Sequence, residues 1–150
     1  MADPTSTRYL PVREAICDAL SGAAALAEIK EIARDAESFN NLPATQYPAL
    51  AVFFAQTAGE EVDRWASRRR DHRYWLEVRV AVRSLASAQA VEEALFSYIE
   101  AVEDALRAAA DLGGLVRHMR AHLVERTRHK VGDYWHGEAA FMVLCEKSVN

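Results

Sequence analysis

The chain has 150 residues, which bounds it to one domain able to bury about 68–70% of its unfolded surface without disulfides. Its hydrophobic fraction of 51% and charged fraction of 27% are those of a soluble globular protein, and its net charge of −4 argues against a dedicated nucleic-acid binder. Cys17 and Cys145 lack metal-site spacing and are expected as buried, reduced thiols; no stretch approaches the ~18–20 apolar residues of a membrane span, and the first residues carry no apolar signal core, so production in the cytoplasm is expected.

Residues 1–7 are polar and expected to be disordered. Pro11 then opens a helix with Val12, Ile16, Ala19 and Leu20 as its apolar stripe, and Gly22 stands near its C-terminal end. Glu28 to Arg34 reads either as more helix or as a short strand with Ile29 and Ile32 near the core; Gly22 offers a break and favours the strand. Asp35 to Gln46, with Asn40, Asn41 and Pro43, reads as a loop. The run from Tyr47 to Ala55 is a strand buried on much of both faces, with Pro48 placed at its first residue because proline cannot donate within a central ladder. A linking arm, Gly59 to Arg73, follows. It reads as a long hairpin arm, and it carries Trp65 and the basic group Arg68, Arg69, Arg70 and Arg73.

The most regular stretch is Tyr74 to Arg83. Tyr74, Leu76, Val78, Val80 and Val82 alternate with Trp75, Glu77, Arg79, Ala81 and Arg83, the pattern of a strand half buried on one face. Ser87 is a good N-cap for a helix from about Ala88 to Ala110, whose buried stripe is Val91, Leu95, Tyr98, Ile99, Val102, Leu106 and Ala109. Its polar face carries Glu92, Glu93, Glu100, Glu103 and Asp104, with Phe96 out of step among them as a candidate subunit contact. Leu115 to His122 reads as a short helical connector. Leu123 to Val131 and Ala139 to Lys147 read as two closing strands separated by a loop from Gly132-Asp133 through His136-Gly137, the first with a basic face that suits an edge or a partner and the second central. The fold class expected is α+β: a mostly antiparallel sheet of four to five strands, with an N-terminal helix and one long helix packed on one face.

Phosphate-loop, dinucleotide, nucleophile-elbow and HExxH motifs do not occur. His118 and His122 at i, i+4 would share a helix face, but the pair is two ligands short of a closed zinc shell, so no metal is expected. Cys145 in an apolar strand reads as a packed core residue before it reads as a nucleophile. Neither a cofactor nor a catalytic set emerges, and the chain reads as an assembly protein rather than an enzyme. The Arg68–Arg73 cluster reads either as a phosphate contact or as a loop that pairs with acidic residues of a neighbour, and the negative net charge favours the second. The basic arm and the acidic helix face then form a complementary pair on paper: Trp65, Arg68, Arg69, Arg70 and Arg73 on one side, Glu92, Phe96, Glu100 and Glu103 on the other.

One more pattern is present. An N-terminal helix with Arg13-Glu14-x-Ile16 leads to a loop ending in Tyr47-Pro48-Ala49-Leu50-x-Val52. A charged arm, the strand Trp75 to Val82, a single long acidic helix and two closing strands, the last with Ala139-Ala140-Phe141-Met142-Val143, complete it. Over residues 8–148 this resembles the tail terminator proteins of long-tailed bacteriophages and the related neck proteins. The resemblance implies a virion protein assembled in the host cytoplasm, with the whole chain as one domain and a flexible arm, Gly59 to Arg73, that engages neighbouring copies or the tube. Six copies would close into a ring that caps the head-proximal end of the tail tube and stops its polymerisation. The ring would dock the head–tail connector and let DNA pass non-specifically through its hole. Its implied partners are further copies of itself, the tail tube protein and neck proteins, with no membrane and no cofactor. Other head–tail joining or head-completion proteins fit the same pattern. From a different class, a small dimeric α+β enzyme or ligand-binding module would require a pocket joining Cys145, His118 and His122.

Overall fold

A computed structural model describes residues 9–55 and 70–149. The chain is α+β. Its elements run α1 (Leu10–Ser21), β1 (Glu31–Ala33), α2 (Ala36–Asn40), β2 (Ala49–Phe54), β3 (Arg70–Ser84), α3 (Ala88–Ala108), β4 (His118–Val131) and β5 (Tyr134–Val149). The five strands form one sheet in the order β1-β2-β3-β5-β4. β1 runs parallel to β2, and every other neighbouring pair is antiparallel.

The alternation along β3 decides which face is covered. Tyr74, Leu76, Val78, Val80 and Val82 are all buried, and they meet Val12, Ile16 and Leu20 of α1 and Val91, Leu95, Val102 and Leu106 of α3 in the main core. Each such side chain removed from water contributes on the order of 1.5–3 kcal/mol. The Ser87 hydroxyl accepts from the Ala90 N–H at 3.0 Å, which starts α3 where the sequence places it. Within the stretch 28–34 a short strand does form: β1 pairs Glu31 with Ala49 and Ile32 with Leu50.

Three local expectations change. The stretch 35–46 is not all loop: the Asp35 carboxylate accepts from the Ser38 N–H at 2.7 Å and caps the short helix α2. α2 seats Phe39 on the far face of the sheet, in a second small core with Tyr47, Ala49, Ala51 and Ala81. The expected connector 115–122 is a turn at Leu112–Gly114 followed by strand from His118. The two closing strands are longer than their apolar runs and meet in a two-residue turn, where Gly132 takes a positive φ of 59° that only glycine adopts freely. Tyr134 to Gly137 are therefore strand, not loop.

β3 also starts before the alternating stretch Tyr74 to Arg83. Arg70 to Arg73 pair with residues 146–149 of β5, so the end of the expected arm is ladder. The rest of that arm, residues 59–69, and the N-terminal residues 1–7 lie outside the described residues.

Candidate functional site

β4 is the outer strand of the sheet, and Leu123 to Lys130 are exposed on both faces. Its register with β5 slips between Leu123 and Glu125, where Val124 is an extra residue and stands 56% exposed. On its helix side β4 faces α3. The Arg126 guanidinium lies 4.5 Å from the centre of the Phe96 ring, and Arg128 reaches Glu92 at 3.5 Å. Further along the same seam, Glu103, Leu106 and Arg107 of α3 and Met119, Ala121 and Leu123 of β4 border a shallow groove of ≈ 430 Å³. The seam combines exposed apolar side chains with polar rims, the composition of a protein–protein contact.

The other face of the sheet carries a polar row over β3 and β5. Arg79 reaches Glu138 at 2.8 Å and Glu77 at 3.5 Å, while its Nε is buried and makes no hydrogen bond among the described residues. Burial disfavours the Arg79 charge, but the two carboxylates outweigh it and hold its pKa up. Burial likewise pushes Glu138 toward its neutral form, and hydrogen bonds from His136 and Arg79 overcome that and lower its pKa. The Arg83 Nε donates to His136 Nδ1 at 3.0 Å, so the imidazole proton sits on Nε2, which donates to Glu138 Oε1 at 3.2 Å. Arg83 also stacks on Tyr47, 4.3 Å from the ring centre. This row is internally satisfied apart from one N–H, which makes it a framework across the strands rather than a reacting centre.

Of the interface residues expected from sequence, Trp65, Arg68 and Arg69 lie outside the described residues. Arg70 opens β3 opposite Val149, and Arg73 bonds Glu146 at 3.3 Å on the face away from α3. Glu92, Phe96, Glu100 and Glu103 all lie on α3, with Phe96 43% exposed and Glu100 turned to solvent. Arg73 and the α3 residues thus occupy opposite faces and form two separate surfaces. Part of the acidic set is engaged within the chain, by Arg128.

The set required by the enzyme or ligand-binding alternative is not assembled. Cys145 is fully buried on the helix side, and burial pushes its thiol up to about 12. His118 pairs with Glu146 and His122 with Met142, on the opposite face. A strand rises about 3.3 Å per residue, so the two histidines stand about 13 Å apart and cannot share one ion, as helix neighbours could. Among the described residues no group of three metal-ligating side chains occurs. Sequence reading missed the buried His136, because His136-Gly137 read as loop; the edge position of β4 is the one its basic face predicts. The adjacent pair Leu123-Val124, which breaks strict alternation, was the available sign of the bulge.

No protein-family model matches the chain, and no curated protein matches it. Among solved structures, one titled "Virion of native gene transfer agent (GTA) particle" holds a similar chain at 10% identity, with a TM-score of 0.42 over 95% of this chain and 99% of that one. At that TM-score the likeness carries no argument.

Proposed function

We propose that this chain is a ring-forming virion subunit, the tail terminator of a long-tailed phage or of a tail-derived particle. Six copies close into a ring on the head-proximal end of the tail tube. The ring ends tube polymerisation, presents a surface to the connector and leaves a hole for DNA. The observation that carries the reading is the exposed edge strand β4 beside α3, where Phe96, Leu123 and Val124 remain in contact with water. A strand of 14 residues with so little cover is a surface built to meet another protein. The order of helix, strands, long helix and two closing strands supports the same reading, since it is the order the terminator resemblance implies. The arm residues Arg68, Arg69 and Arg70 are assigned to a contact with a neighbouring copy or the tube.

The test is the mass of the purified chain by light scattering across concentration, with negative-stain imaging of the same sample and of mixtures with tail tubes. Six-subunit rings with a central hole are expected, free or seated on tube ends. A compact dimer without a hole, or a chain that stays monomeric with and without tubes, overturns the reading. Charge reversal at Arg68, Arg69 and Arg70 together is expected to weaken assembly at low salt; unchanged assembly removes the arm from the contact.

A further inference from the structure

The two edges of the sheet carry opposite charge. Along β4, Arg120, Arg126, Arg128 and Lys130 are exposed against the single acid Glu125. At the far edge, β1 and its flanks expose Glu28, Glu31, Asp35 and Glu37. Lys30 is the free cation there among the described residues, because Arg34 is held by Glu14 through Nε and Nη2 at 2.9 Å each. Beside β1 lies a shallow groove of ≈ 250 Å³, lined by Leu20, Leu26, Ile29 and Ile32 and rimmed by Lys30 and Glu31. On the opposite edge the bulge holds Val124 out of the ladder, exposed next to Leu123.

We propose that copies of this chain associate head to tail, the β4 edge of one copy resting on the β1 edge of the next. Val124 enters the groove beside β1, and the basic β4 side chains face Glu28 and Glu31. This rests on the ring-subunit reading and names its contact. The contact is made through side chains and not by continuing the ladder. A bulge and a row of cations both discourage strand addition, and β1 offers only three residues to pair with. Because the two surfaces differ, each bound copy still presents one free edge. Association then stops only when rotation closes a ring.

The test uses the full chain at low salt, followed by light scattering and sedimentation. One variant reverses the β4 edge (Arg120→Glu with Lys130→Glu) and another reverses the β1 edge (Glu28→Lys with Glu31→Lys). Each alone is expected to raise the apparent dissociation constant about tenfold or more. Mixing the two restores association to within about threefold, since the reversed edges complement each other while the unreversed ones still match. Misfolded variants would not rescue each other. A wild-type chain that assembles while both variants assemble equally well overturns this contact and leaves the ring reading standing. Weakened variants that fail to rescue one another also overturn the head-to-tail pairing. A wild-type chain that never assembles, with or without tail tubes, overturns both.

Discussion

Individual side chains set the tolerances of this fold. Gly137 lies under α3, and a Cβ placed there would come within 2.6 Å of Val91 Cγ1 and 3.3 Å of Leu95 Cδ2. Val91 is buried and stiff about χ1, so it cannot swing aside. Gly137→Ala is therefore expected to cost about 1–3 kcal/mol, read by chemical denaturation, and Val91→Ala in the same chain should recover part of that loss. Glu14 behaves differently because it stays in water. The Arg34 hydrogen bonds, against the opposing effect of burial and with help from Arg13, lower its pKa to about 2. A carboxylate lowered in the folded state stabilises above its unfolded value of 4.5 and loses that contribution as pH falls through about 2. The side chain is 40% exposed, so solvent screening leaves the pair worth less than about 1 kcal/mol. Thermal melts of Arg34→Met and wild type should converge across that acid window; a constant gap down to the lowest pH would refute the linkage.

Single elements show why some of the architecture was legible and some was not. The alternation of β3 and the stripe and cap of α3 were readable because burial on one face imposes a period, and each of these segments is long enough to express it. Ser87→Ala is expected to lower stability by about 1 kcal/mol, or roughly 2–4 °C in Tm, with the native sheet retained in circular dichroism. An unchanged Tm would mean that packing against β3 alone starts this helix. The far end of the chain was harder to read. In β4 Met119 and Ala121 pack against the core while Arg120 and His122 are exposed, but this alternation is too short to tell residues 118–122 from a polar connector. α2 was missed because five residues are too few to show a stripe; its only local signal was Asp35 three residues before Ser38. The network around His136 depends on pairings between β3 and β5 more than fifty residues apart, which no local window contains.

At the scale of the molecule, the separation of charge matters more than the net value of −4. The basic β4 edge and the acidic β1 edge stand at opposite ends of the sheet, with three strands between them. Attraction between such edges in different copies is exposed to solvent ions. Raising ionic strength to about 1 M, where the Debye length is about 3 Å, should weaken self-association strongly if charge dominates the contact. Assembly that persists or strengthens in high salt would place its driving force in the apolar groups, Phe96, Leu123 and Val124, instead.

The position of β5 has a consequence for the exchange of amide protons with heavy water. β5 is paired to β3 from Trp135 to Val149 and to β4 from Tyr134 to Glu146, so its N–H groups between Trp135 and Glu146 should be among the last to exchange. Along β4 only the groups turned toward β5 are tied, and those turned outward meet solvent. A lone copy should therefore show a two-residue rhythm of fast and slow exchange along β4, broken at Val124. In a closed ring the fast members of that rhythm would slow without gaining ladder bonds, leaving in time-resolved isotope uptake a footprint of the neighbour's position.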